Sequence, residues 1–104
     1  MTIQINTDKS LNVHEAYRSK LEALLTEDLD RFREHITRLE VHLSDENGVK
    51  HALEDKRCLI EARIEGRQPI AVSDVANTHD QAVSGAIHKL KSSLVSTFGR
   101  LRNH

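Results

Sequence analysis

The sequence is poor in the residues that build disulfide-linked, proline-rich or aromatic-rich folds. It has one cysteine, one proline, four glycines and no tryptophan, and only 3% of its residues are aromatic. A single cysteine excludes an internal disulfide, so a reducing compartment is the simplest setting. No apolar run approaches the roughly 20 residues that cross a bilayer, and the first residues lack the basic and apolar segments of a secretory signal. We therefore expect a cytoplasmic protein without a membrane span.

The length and charge of the chain set limits on its organisation. The 104 residues suffice for one domain, 1–104, with one hydrophobic core. A net charge of −1 argues mildly against a nucleic-acid-binding domain. The charge is unevenly spread, however: residues 81–104 hold four lysines and arginines and no acidic residue, whereas residues 1–30 hold three basic and six acidic residues. This asymmetry predicts a basic end on an acidic body.

Two segments have the apolar spacing of amphipathic helices. Apolar residues from Tyr17 to Leu29 recur at helical intervals and predict a helix over about 14–30. Thr78 and Gln81 have capping-box spacing, and the apolar stripe that follows predicts a helix of about 25 residues to the C-terminus, frayed beyond Gly99.

Four shorter segments alternate apolar and polar residues and predict strands. They are centred on 3–5, 37–43, 58–64 and 69–73, with a polar hairpin loop predicted over Ser44 to Asp55 and a connector over Asp74 to Asn77. The order β-α-β-β-β-α makes the first two strands parallel and the last three an antiparallel meander. The predicted fold class is α+β, a four-stranded mixed sheet with both helices on one face. The other face, left to solvent or a partner, carries Arg38, Glu40, His42, Glu61 and Arg63.

The sequence contains no recognisable catalytic motif. It lacks a phosphate-binding glycine loop and a serine nucleophile motif, so we expect no enzymatic activity. His42 and Cys58 fall on neighbouring predicted strands, but their side chains should point to opposite faces of the sheet. That placement argues against a zinc site made by this pair, and we expect neither a metal nor a cofactor.

Two segments resemble a known family. The start of the first helix, Asn-Val-His-Glu-Ala-Tyr-Arg at 12–18, and the run Gln-Ala-Val…Ala-Ile-His-Lys-Leu within 81–90 resemble the ribosome hibernation-promoting factors. These proteins are also called ribosome-associated translation inhibitors or sigma-54 modulation proteins. The resemblance implies a double-stranded-RNA-binding-domain-like fold that binds the small ribosomal subunit and reversibly blocks translation in stressed or stationary cells. Because the sequence ends at His104, it also implies a short form without a further C-terminal domain.

The resemblance also implies an rRNA-binding set of basic residues. Lys89 and Arg18 match basic positions of the family. The complete predicted set is Arg18, Lys89, Lys91, Arg100 and Arg102, with Arg38 and Arg63 as weaker candidates. Where family members carry further basic residues on the first helix, this chain has Leu24 and Glu27. A diverged protein–protein interaction module, using the exposed sheet face or the acidic first helix, is therefore the alternative function.

Overall fold

The computed structural model describes residues 1–8, 15–45 and 56–99. Its elements are β1 (Thr2–Thr7), α1 (Glu15–Asp28), a 3₁₀ turn (Asp30–Phe32), β2 (Ile36–Asp45), β3 (Lys56–Ile64), β4 (Ile70–Ala76), α2 (His79–Leu94) and a π-helical segment (Val95–Gly99). The strand order is β1-β2-β3-β4, with β1 parallel to β2 and the other pairs antiparallel. The predicted α+β class and topology are confirmed.

The core lies between the sheet and the two helices. It is one cluster to which β2 contributes Leu39, Val41 and Leu43, α1 contributes Leu21 and Leu25, and α2 contributes six residues. The intervening side chains of β2, from Arg38 to His42, lie on the other face and are only partly buried. The alternation in the sequence thus sorts each strand into a core face and an open face. Both helices cover the same face.

The structure corrects several element boundaries. Asp74 to Ala76, predicted as part of the connector over Asp74 to Asn77, form the end of β4, because Asp74 pairs with Cys58 and Ala76 with Lys56. The first helix ends at Asp28 and continues as the 3₁₀ turn that buries Phe32. The second α-helix ends at Leu94, and the apolar stripe continues in the π-helical segment.

Thr78 caps the N-terminus of α2 as the sequence predicts. Its hydroxyl accepts a hydrogen bond from the Gln81 backbone N–H at 3.1 Å, which satisfies one of the free donors of the first turn. Ser44 and Asp45, predicted as the start of the hairpin loop, belong to β2. The rest of that predicted loop, together with Arg100 and Arg102, lies outside the described residues.

Cys58 is a core residue and faces away from His42. It is fully buried on β3 beneath the helices, whereas the His42 ring is partly exposed on the open face. Desolvation by burial, together with the nearby Asp74 carboxylate, raises the pKa of Cys58 to about 12. The thiol therefore stays protonated at neutral pH and unreactive. None of the helices in the described residues combines the length and the apolar content needed to cross a membrane.

Candidate nucleic-acid interface

Arg18 is anchored to an edge of the sheet. It lies on α1, and its Nη1 donates a hydrogen bond of 2.7 Å to the backbone carbonyl of Ile5 on β1. Because β1 is an edge strand, its outward carbonyls have no strand partner. The Arg18 guanidinium therefore satisfies a backbone acceptor.

Lys89 has the same kind of role at the other edge. Its Nζ donates to the Ser73 carbonyl on β4 at 2.8 Å and lies 3.1 Å from Asp74 Oδ1. The Asp74 side chain reaches α2 at Gly85, where a Cβ would overlap the carboxylate. Gly85 thus lets an acidic strand residue lie against the helix and pair with Lys89 one turn later. Sequence reasoning assigned Asp74 to a connector and did not foresee this partner.

The two family-matched cations do not form one patch. Arg18 contacts β1 and Lys89 contacts β4, and these strands are the two edges of a four-stranded sheet. Three strand spacings of about 4.8 Å separate the edges by about 14 Å. An RNA backbone could contact both Arg18 and Lys89 only by crossing the layer formed by the two helices.

Lys91 lies on a different flank of α2 from Lys89. Two residues along an α-helix are rotated by about 200°, so the two lysines diverge. Lys91 is eleven residues after Asp80, about three turns, and so lies on the same flank. That flank faces α1, because Asp80 accepts a hydrogen bond of 2.8 Å from the Tyr17 hydroxyl and lies 3.9 Å from Lys20 Nζ. The Lys91 side chain is exposed and makes no hydrogen bond or ion pair with another described residue.

The Tyr17–Asp80 contact joins the N-terminal ends of the helices. Desolvation and the hydrogen bond to Asp80 raise the pKa of Tyr17 above its ordinary value of 10.0. The phenol therefore remains a donor throughout the neutral range. The consequence for the interface is that the acidic side chain at the start of α2 is already engaged by α1.

The open sheet face carries the two weaker candidates. Arg38 Nε donates to Glu40 Oε2 at 3.0 Å, and Arg63 Nε lies 3.9 Å from the same oxygen. Arg38 also donates to the Gln4 side chain. Because Glu40 and Glu61 lie among these arginines, the face is close to neutral and less suited to phosphate than the Lys91 flank.

A mixed four-stranded sheet with two helices on one face places the chain in a class of small α+β proteins. The chain belongs to the sigma 54 modulation protein / S30EA ribosomal protein family, whose model matches residues 3–102. The resemblance seen in the sequence is thereby confirmed. No curated protein sequence matches this chain.

Two solved structures share the fold. A ribosomal subunit interface protein from Coxiella burnetii is 18% identical, with a TM-score of 0.73 over 95% of this chain and 99% of that one. The N-terminal domain of Protein Y from Thermus thermophilus is 20% identical, with a TM-score of 0.70 over 90% of this chain and 96% of that one. At these identities the similarity concerns the backbone fold.

Proposed function

We propose that this protein binds the small ribosomal subunit through rRNA phosphates in the cytoplasm and inhibits translation by occupying space, without catalysing a reaction. The observation that carries the proposal is the match of 100 of the 104 residues, 3–102, to a family described as a ribosomal protein. The structurally similar protein from Coxiella burnetii is a ribosomal subunit interface protein, which agrees with this function.

Lys91 is the cation best placed to begin the contact. It is exposed and bound to no other described side chain, so a phosphate need not displace a protein partner. Arg100 and Arg102 follow it in the sequence and add two positive charges, and the sequence from 81 to 104 contains no acidic residue. Binding through such contacts releases counterions and weakens steeply as salt rises.

Arg18 and Lys89 can contribute only after exchanging partners. Lys89 would have to leave Asp74 and the Ser73 carbonyl, and Arg18 would have to leave the Ile5 carbonyl. Each exchange leaves an acceptor without its hydrogen bond, so the net gain per phosphate is smaller than at Lys91. We therefore rank Lys91 first within the proposed set.

The second candidate function is a protein–protein interaction module, favoured by the exposed surface of α1. A shallow depression there is bordered by the carboxylates Glu22, Glu27 and Asp30. This surface would repel phosphate and would suit a basic protein partner.

Co-sedimentation with purified small ribosomal subunits over a salt series tests the proposal. The wild-type protein should bind at low salt and dissociate steeply as salt rises. Lys91→Glu should weaken binding about tenfold or more and reduce the logarithmic salt slope by about one. Translation in a purified system should be inhibited in proportion to the fraction bound.

Two matched variants identify the surface. Arg63→Glu makes the same charge change on the open sheet face and should leave binding within about twofold of wild type. Asp74→Ala removes the carboxylate partner of Lys89, leaves its hydrogen bond to the Ser73 carbonyl and should strengthen binding a few-fold. No binding at low salt would refute ribosome association and favour the protein–protein module. If Arg63→Glu weakened binding as much as Lys91→Glu, the result would indicate that the ribosome contacts the open sheet face.

A further inference from the structure

Three potential metal ligands converge on the open sheet face, opposite the helices. Glu40 and His42 are two residues apart on β2 and so point to the same side, and Glu61 on β3 pairs directly with Glu40. One ligand atom from each of the three lies within 4.8 Å of the others. The proposed ribosome contact does not use this group.

The pairing of Glu40 with Glu61 is unfavourable unless a positive charge lies between them, because like charges directly opposite on neighbouring strands repel. Both nearby arginines approach one oxygen only: Arg38 Nε lies 3.0 Å and Arg63 Nε 3.9 Å from Glu40 Oε2. The other oxygen of Glu40, Oε1, faces His42. Among the described residues, Glu61 has only His42 as an ionic neighbour.

His42 Nε2 is a buried nitrogen without a hydrogen-bond partner. It has almost no solvent-accessible surface and makes no hydrogen bond, although the rest of the ring is partly exposed. It lies 3.5 Å from Glu61 Oε1 and 3.9 Å from Glu40 Oε1. Both distances exceed the roughly 2.7–3.2 Å of an N–H···O hydrogen bond. The nitrogen therefore lies between two carboxylate oxygens, at distances longer than direct hydrogen bonds.

We propose that Glu40, His42 and Glu61 bind one zinc ion through Oε1, Nε2 and Oε1. Zinc bonds of about 2.0–2.2 Å in tetrahedral geometry place ligand atoms about 3.3–3.5 Å apart. The Nε2 to Glu61 distance of 3.5 Å already has this value, and the Nε2 to Glu40 distance of 3.9 Å needs a small side-chain adjustment. One imidazole and two carboxylates favour zinc over magnesium or calcium, which prefer all-oxygen ligands.

The surroundings set both the geometry and the strength of this site. Arg38 holds the Glu40 carboxylate by its Oε2 and thereby keeps Oε1 directed at His42, as partners of metal ligands commonly do. The fourth zinc position faces solvent and would take a water molecule. The positive charges of Arg38 and Arg63 repel the zinc ion, so its affinity for this site is lower than for a structural zinc site with four protein ligands.

Isothermal titration calorimetry of the untagged protein with zinc chloride, alongside metal analysis after equilibrium dialysis, tests the proposal. The wild-type protein should bind one equivalent at this site. His42→Gln and Glu61→Gln should each weaken that equivalent more than about tenfold, since each removes a ligand. Glu61 is half-exposed, so its neutral variant should fold normally, which circular dichroism checks.

Two controls separate the site from general binding by the seven histidines. His88→Gln removes an exposed imidazole of α2 and should leave the equivalent unchanged. Arg63→Gln removes a repelling charge without removing a ligand and should tighten binding a few-fold. The proposal is overturned if the wild-type protein binds no zinc, or if folded Glu61→Gln or His42→Gln retains the equivalent with unchanged affinity.

Discussion

The two helices cover the same sheet but are held to it very differently. α2 buries six residues, lies against both β3 and β4, and has a defined N-cap at Thr78. α1 buries only two of its fourteen residues and presents an acidic outer surface. The comparison indicates that α2 is the rigid support of the fold, whereas α1 depends on a few contacts. A cation on α2 is therefore positioned more firmly than one on α1.

The largest expected effect is a difference in the free energy of unfolding between two variants, each with one apolar side chain shortened in one helix. Leu90 of α2 is fully buried, and Leu90→Ala should lower the free energy of unfolding by about 3 kcal/mol because it leaves a cavity. Leu24 of α1 is only partly buried, and Leu24→Ala should cost about 1 kcal/mol. Urea denaturation of both variants measures the difference. Equal losses would contradict the division between a rigid and a loosely held helix.

A smaller effect is expected where α2 meets β4. Gly85→Ala should lower the free energy of unfolding by about 1–3 kcal/mol, because the new methyl group overlaps the Asp74 carboxylate. Adding Asp74→Ala should recover most of that loss, since the obstacle is gone and alanine favours a helix by about 0.5–1 kcal/mol over glycine. Ser84→Ala, on the exposed neighbouring position, serves as the control. A Gly85→Ala variant as stable as wild type would show that this packing is not restrictive.

The smallest expected effect comes from removing the hydrogen bond that joins α1 to α2. Tyr17→Phe keeps the ring but removes the hydrogen bond to Asp80, and should cost about 0.5 kcal/mol globally. Amide exchange should rise in α1 and not in α2, because α1 loses one of its few attachments. Asp80→Asn retains an acceptor and should preserve most of the protection. An equal increase of amide exchange in both helices would contradict this expectation and would show that the helices open together.

The elements of the fold were accessible from the sequence because each has a clear period. The alternation around Leu39, Val41 and Leu43 predicted the presence of β2, and the Thr78 cap predicted the start of α2 correctly. The end of β4 was missed because Ser73 and Asp74 interrupt the apolar pattern, and Asp74 is accommodated only by a glycine on another element. The change to a π-helical segment at Val95 was also missed, because the apolar spacing of the sequence contains no signal for it.

The candidate site was less accessible, since charge counting identifies cations but not their partners. Arg18 and Lys89 contact carbonyls on opposite edge strands, and only the strand order shows that they lie far apart. The convergence of Glu40, His42 and Glu61 likewise depends on the register between β2 and β3, which alternation alone does not fix. The predicted contacts of Arg100 and Arg102 stay predictions.

The hydrogen bond from Lys89 to the Ser73 carbonyl also affects how the molecule meets its own copies. β4 is one of the two edge strands, and a side chain bonded to its outward carbonyl obstructs the docking of another extended chain there. If a polyanion drew the ammonium group away, that outer backbone would become available for intermolecular pairing. Substitutions that neutralise this lysine should therefore be judged for solubility as well as for binding.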